Sequence, residues 1–224
     1  MKKIIASILV LATCVSMVAC SGDSKESSKK EAFEVSKSAY SNVKIAYEIT
    51  EQISSDIYEA WHLGIFEDER ILEGGMKGGI HYMASKLSLN RIELREGLRY
   101  VMEQAGKPSD RDDIDIPTFF SKWTDAPLFS VCIYSVIAAY TINGKVEEAQ
   151  NALNAAKAQM KELSENYSDY EHYPNLKGYY TTTSSFFDFC QNPTGSFDQA
   201  TETINDYKNK ARDYISDLDF IFEE

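Results

Sequence analysis

The sequence predicts an all-α fold: a single irregular helical bundle, or a stack of helical hairpins, with about six to eight helices. Three observations point there. Apolar residues recur at steps of three and four over long stretches, which is the period of one helix face. No proline precedes Pro108, and glycine falls mainly at the borders of the periodic runs. No stretch shows the apolar–polar alternation of a half-buried strand.

Residues 31–66 read as one long helix, with Val43, Ala46, Ile49, Ile53, Ile57, Ala60 and Ile65 as its stripe. Gly74, Gly75, Gly78 and Gly79 then break or loosen the helical run. A short helix is expected over 80–87. Asn90 and Glu93 have the spacing of a capping box, and the run from Ile92 to Met102 stops at Gly106-Lys107-Pro108. Residues 109–124 read as a loop, acidic first and then apolar (IPTFFSKW).

Asp125-Ala126-Pro127 opens the next helix, with proline in its first turn. It is apolar nearly all round up to Ile142, so it is the expected central, buried helix. Asn143-Gly144 ends it, and residues 146–166 read as its amphipathic partner. Pro174 starts a further helix that Asn192-Pro193 closes. Ser196 and Gln199 cap the last, whose stripe is Phe197, Ala200, Ile204, Tyr207, Ala211, Leu218 and Ile221.

Tyr140, Gly144, Ala149, Leu153 and Ala156, within residues 126–160, resemble the tetratricopeptide signature at the turn between paired helices. Gly195, Ala200, Ile204 and Tyr207 echo that spacing 51 residues later. The family repeats at about 34 residues and usually needs three copies. The reading is therefore of two helical hairpins under common packing rules.

The chain begins MKKIIASILVLATCVSMVACSG. Lys2 and Lys3 are followed by an apolar run that is short for a bilayer span, which needs about 20 residues. Met17-Val18-Ala19-Cys20 resembles the lipobox of bacterial lipoproteins, with Met17 where leucine is commonest; Leu11-Ala12-Thr13-Cys14 competes with it. Cys20 is preferred because polarity changes abruptly there, whereas cutting at Cys14 would leave an apolar stub. The resemblance implies a signal peptide over residues 1–19 and a diacylglyceryl group on the Cys20 thiol. Two acyl chains hold a protein on a membrane stably. Residues 20–30 then form a lipidated, flexible tether rich in Ser and Lys, and residues 31–224 a single domain.

The chain has 224 residues, with 23 basic and 35 acidic, and a net charge of −12. Losing Lys2 and Lys3 with the signal segment makes that −14. Such a surface repels phosphate backbones, so no nucleic-acid partner is expected. Cys132 and Cys190 are a candidate disulfide outside the cytosol. Both end up in apolar runs, FSVCIYSV and FFDFC, which also suit buried free thiols.

Residues with catalytic or metal-binding chemistry do not assemble into a recognisable motif. His62, His81 and His172 have no HExxH or zinc spacing, so no metal, cofactor or catalytic residue is assigned. GGMKGG lacks the order of a phosphate loop. DRDDID, residues 110–115, lacks the glycine and alternation of a calcium loop. The most unusual stretch is aromatic: Tyr167, Tyr170, Tyr173, Tyr179 and Tyr180, beside His172, Phe186, Phe187 and Phe189. Tyrosine offers a flat apolar face and a hydroxyl, which suits recognition of sugars or proteins. The competing reading puts Phe187 and Tyr180 in the core.

These readings converge on a lipid-anchored protein on the extracytoplasmic side of a bacterial cell membrane. Its expected role is a binding or interaction module of the cell envelope, touching an envelope protein or glycan. The alternatives are an envelope enzyme acting on glycan, lipid or peptide, with Glu67, Asp68, His62 or His81 in a cleft near the glycines, and a solute-capture lipoprotein.

Overall fold

The computed structural model describes residues 24–66, 84, 85, 88 and 128–222. Among them the chain is all-α, with five helices and no strand. They are α1 (Ser24–Phe66), α2 (Leu128–Ile142), α3 (Lys145–Asn166), α4 (Tyr173–Gln191) and α5 (Phe197–Phe222). The signal segment, the glycine cluster, the capping box at Asn90 and the DRDDID stretch lie outside the described residues. Of the expected 80–87 helix only Ala84 and Ser85 are described, both helical; Ser88, just past it, is in a turn.

α1 has 43 residues and is about 65 Å long. Its buried positions repeat every seven residues. Ser36, Val43, Thr50 and Ile57 form one row; Ala32, Ala39, Ala46, Ile53 and Ala60 a second; Tyr40, Tyr47, Ser54 and Trp61 a third. A strict seven-residue repeat keeps one seam facing its neighbours over many turns. α2, α3, α4 and α5 all pack on it. The sequence predicts the helix opened by Asp125-Ala126-Pro127 and running to about Ile142 as the central one. α2 is indeed heavily buried, through Cys132, Ile133, Val136, Ile137, Ala138 and Ala139. At 15 residues, however, it reaches about 22 Å, and among the described helices it is α1 that packs extensively on all four others.

α1 also begins at Ser24, inside the stretch 20–30 that the sequence predicts to be a flexible tether. No proline or glycine interrupts residues 24–30, Glu26 sits in the favourable first turn, and Ser27 Oγ hydrogen-bonds Glu31 Oε1 at 3.3 Å. Extending a helix that is already packed is far easier than nucleating one. At its other end the expected stripe stops early: Ile65 is exposed, as is Phe66.

α3 and α5 run antiparallel to α1, and α4 runs parallel to it. Tyr167, just past α3, reaches Glu31, while Gln159 meets Ser38 and Asn42. Ala46 of α1 clusters with Ala149, Ala152 and Leu153 of α3 and Phe187 of α4; such small side chains let helix axes approach closely. α2 and α3 pack on α1 far more than on each other. The turn between them is made by Gly144 at φ 78°, a left-handed conformation that glycine adopts without cost. Asn143 Oδ1 accepts the Lys145 amide there at 3.1 Å.

The last helix follows its expected stripe closely. Ser196 and Gln199 form a reciprocal capping box: the Ser196 amide donates to Gln199 Oε1 at 2.9 Å, and the Gln199 amide to Ser196 Oγ at 3.3 Å. Ala200, Ile204, Ala211 and Leu218 are buried, with Phe197, Tyr207 and Ile221 packed partly against the core. Phe186 of α4 stacks on Tyr207 at 5.3 Å between centroids. About two turns away along the same pair of helices, Gly178 of α4 lies directly under the Tyr214 ring, so that a Cβ there would overlap the ring.

Gly178→Ala is therefore expected to destabilise the protein by about 1–3 kcal/mol, despite the better helix propensity of alanine. Denaturant titration checks this. Adding Tyr214→Ala should remove most of the further cost of the alanine; an undiminished cost would point to a different cause.

Candidate functional site

A cleft of about 410 Å³ opens where α1, α2 and the α2–α3 turn meet. That is within the usual size range of small-ligand pockets. Ile49, Ala139 and Tyr140 give it an apolar lining; Glu48, Gln52, Asn143 and Lys145 bring carboxylate, carboxamide and ammonium groups to it. Tyr140 is fixed by its hydroxyl, which donates to Asp56 Oδ2 at 2.7 Å. Gln52 Nε2 reaches the other oxygen of Asp56 at 3.4 Å. Lys145 is paired with Glu148 at 2.6 Å. Burial, then the hydrogen bond to Asp56, holds the Tyr140 phenol well above its ordinary value. It is a neutral donor across the physiological range. The arrangement suits non-covalent recognition of a ligand with an apolar face and several hydrogen-bonding groups.

The five tyrosines of the aromatic stretch separate by helix geometry. Tyr179 is fully buried between α1 and α4, with Tyr40 and Tyr47 rings at 5.8 and 6.0 Å. It therefore presents no surface. Phe186 and Phe187 are fully buried as well. Tyr180 is half-buried and packs on the α1–α3–α4 cluster. Tyr167, Tyr170 and Tyr173 are half-buried at the α3–α4 connection. Tyr167 donates to Glu31 Oε2 at 3.0 Å, Tyr170 meets His172 edge-on at 5.3 Å, and Lys177 lies over Tyr173 at 5.9 Å. This end of the molecule is mainly a clasp on the start of α1.

His62 is exposed and stacks among Tyr58, Phe66 and Phe197 at 6.5, 4.9 and 6.0 Å. His81, Glu67 and Asp68, named with it in the enzyme alternative, lie outside the described residues, as does Cys20. No group of three His, Cys, Asp or Glu suited to a metal occurs among the described residues.

Cys132 and Cys190 are both free and buried, so the candidate disulfide is not formed. The physical setting is that of small apolar core residues. Burial pushes the Cys132 thiol up to about 11 and raises that of Cys190 as well. Cys190 Sγ lies 3.9 Å from the Thr50 carbonyl oxygen of α1.

None of the cleft residues is marked as a binding residue by the sequence: Ile49, Tyr140 and Asn143 stand out there only as a stripe position, a hairpin position and a helix stop. Their numbers, 48–52, 139–140 and 143–145, come together only because α2 ends against the middle of α1. Comparison of the chain with protein-family models, curated proteins and solved structures found no match.

Two outcomes are expected. In the native protein Cys132 and Cys190 should resist a thiol reagent, and both should react once the chain is unfolded; a mass 2 Da lower than the dithiol form would contradict this. Alkaline stability should also reflect the buried phenols. Burial and the neighbouring Glu51 push the Tyr47 phenol up to about 12, whereas the unfolded chain ionises near 10. The folded chain thus holds that proton longer. Its stabilising contribution is complete below pH 10 and is lost as pH climbs through about 12. Tyr47→Phe should flatten the fall in stability over that window, as read by denaturant midpoints at stepped pH.

Proposed function

We propose that the protein is a membrane-anchored extracytoplasmic lipoprotein that serves as a binding or interaction module of the bacterial cell envelope. The observation that carries this is the abrupt break at Met17-Val18-Ala19-Cys20, where a short apolar run behind two lysines ends in Ser and Gly. Lipid on Cys20 is the anchor. No helix among the described residues is long and apolar enough to cross a membrane, and an acidic chain gains little from an anionic lipid surface.

The binding role is supported by the α1–α2–α3 cleft, with its apolar lining and its hydrogen-bonding groups from Glu48, Gln52, Asn143 and Lys145. The partner class is an envelope protein or a glycan. Both present flat apolar faces flanked by hydroxyls or amides, which such a surface can meet.

Expression in a bacterial host tests the anchor. The wild-type chain should fractionate with membranes, and its first residue should be Cys20 carrying a diacylglyceryl group, read by mass spectrometry. Cys20→Ser should leave the precursor uncut. An unmodified chain that keeps Met1, or a freely diffusing product, would overturn the anchoring. A photo-crosslinker placed at Gln52 tests the cleft. It should capture a discrete partner that the same group at exposed Lys157 does not; equal labelling from both positions would remove the cleft from the proposal.

A further inference from the structure

The core between α1, α4 and α5 contains an unusual concentration of hydroxyl groups. Every buried side-chain oxygen without a hydrogen-bond partner among the described residues lies on α1, on α4 or in the connector leading into α4: Ser36, Tyr47, Tyr170, Tyr179 and Thr183. Leaving a buried hydroxyl unpaired is destabilising, and native proteins carry few such groups. Some have polar neighbours close by. Tyr170 sits beside Ser36, and Tyr47 beside Glu51 and Arg212.

Tyr179 is different. It is fully buried on α4, and its ring lies between those of Tyr40 and Tyr47. Tyr40 donates its own hydroxyl to Asp219 of α5, and Asp219 is held by Lys44 at 2.9 Å. The buried Tyr179 hydroxyl of α4 is within electrostatic reach of both Tyr40 and Asp219 of that network. The common solution to such an arrangement is an internal water making about three hydrogen bonds, found roughly once per 27 residues in globular proteins.

We propose that this three-tyrosine junction is a binding site for an ordered internal water, which links the Tyr179 hydroxyl of α4 to the Tyr40–Asp219–Lys44 network of α1 and α5. The water accepts the Tyr179 proton and donates to the oxygens of Tyr40 and Asp219. The site joins three helices through one small guest, where an apolar residue at position 179 would join them by packing alone.

The direction of one mutational effect separates this from an unpaired hydroxyl. Removing an unpaired hydroxyl relieves a penalty, so Tyr179→Phe would then leave the protein as stable or more stable. Removing the anchor of a bridging water leaves its partners short of a bond. On the proposal, Tyr179→Phe lowers the folding equilibrium constant about fivefold to thirtyfold. Its effect is also non-additive with Tyr40→Phe, because both variants break the same bridge. Water-oxygen magnetic relaxation dispersion on the full-length protein should show one fewer long-lived internal water in Tyr179→Phe than in wild type. A stability gain or no change overturns the proposal. So does a loss of stability with an unchanged water count, which would mean that Tyr179 bonds a side chain directly.

Discussion

The structure depends on one constraint: the seven-residue repeat along α1. A helix of ordinary pitch drifts about 20° per heptad away from a strict repeat, so an apolar stripe held in register over four heptads must bend gently to keep its partners in contact. The three buried rows of α1 do this with side chains of very different size. The row Ala32–Ala39–Ala46–Ile53–Ala60 is nearly all small. At its middle, Ala46 meets the alanines of α3, which brings two backbones close. The row Tyr40–Tyr47–Ser54–Trp61 is mostly large, and its two tyrosines fill the wider gap toward α4 and α5. The asymmetry of the bundle, tight on one side and aromatic on the other, is thus written into neighbouring positions of a single helix.

The same repeat explains how much of the fold could be read from sequence. The aliphatic members of the stripe, Val43, Ala46, Ile53, Ile57 and Ala60, stand out by spacing alone, and all are buried. Ser36, Thr50, Ser54, Tyr40 and Tyr47 belong to the same seam but look polar or amphipathic, so a search for apolar residues passes over them. Thr50 and Ser54 conceal their hydroxyls by donating to the Ala46 and Glu51 carbonyls of their own helix, at 2.7 Å each. The sequence therefore shows only the aliphatic part of the α1 seam, and the uniformly apolar α2 looks the more central helix. Ends and caps were more legible. The Ser196–Gln199 box and the Asn143–Gly144 turn are local chemistry, complete within four residues, and both occur where expected.

The candidate site was illegible for a matching reason. Its residues share no motif, and two stretches some 90 positions apart, 48–52 and 139–145, contribute them. Conversely, the five-tyrosine stretch is conspicuous as a string yet disperses in space. Successive residues of a helix point 100° apart, so Tyr179 goes to the core while Tyr180 faces the α3 side. Clustering along the chain is a poor guide to clustering on a helical surface, whereas the three-tyrosine junction, built from positions 40, 47 and 179, is compact in space and scattered in sequence.

The continuity of α1 has a mechanical consequence. A single unbroken rod runs from Ser24 to Phe66, and every other described helix leans on it. For a protein held by lipid at Cys20, only a few residues separate the point of attachment from that rod. On the proposed anchoring, lateral drag on the lipid would be delivered to the whole body through that rod. The far end, about 65 Å along the axis, sweeps the widest arc, so the domain would sample its surroundings as a stiff mast does.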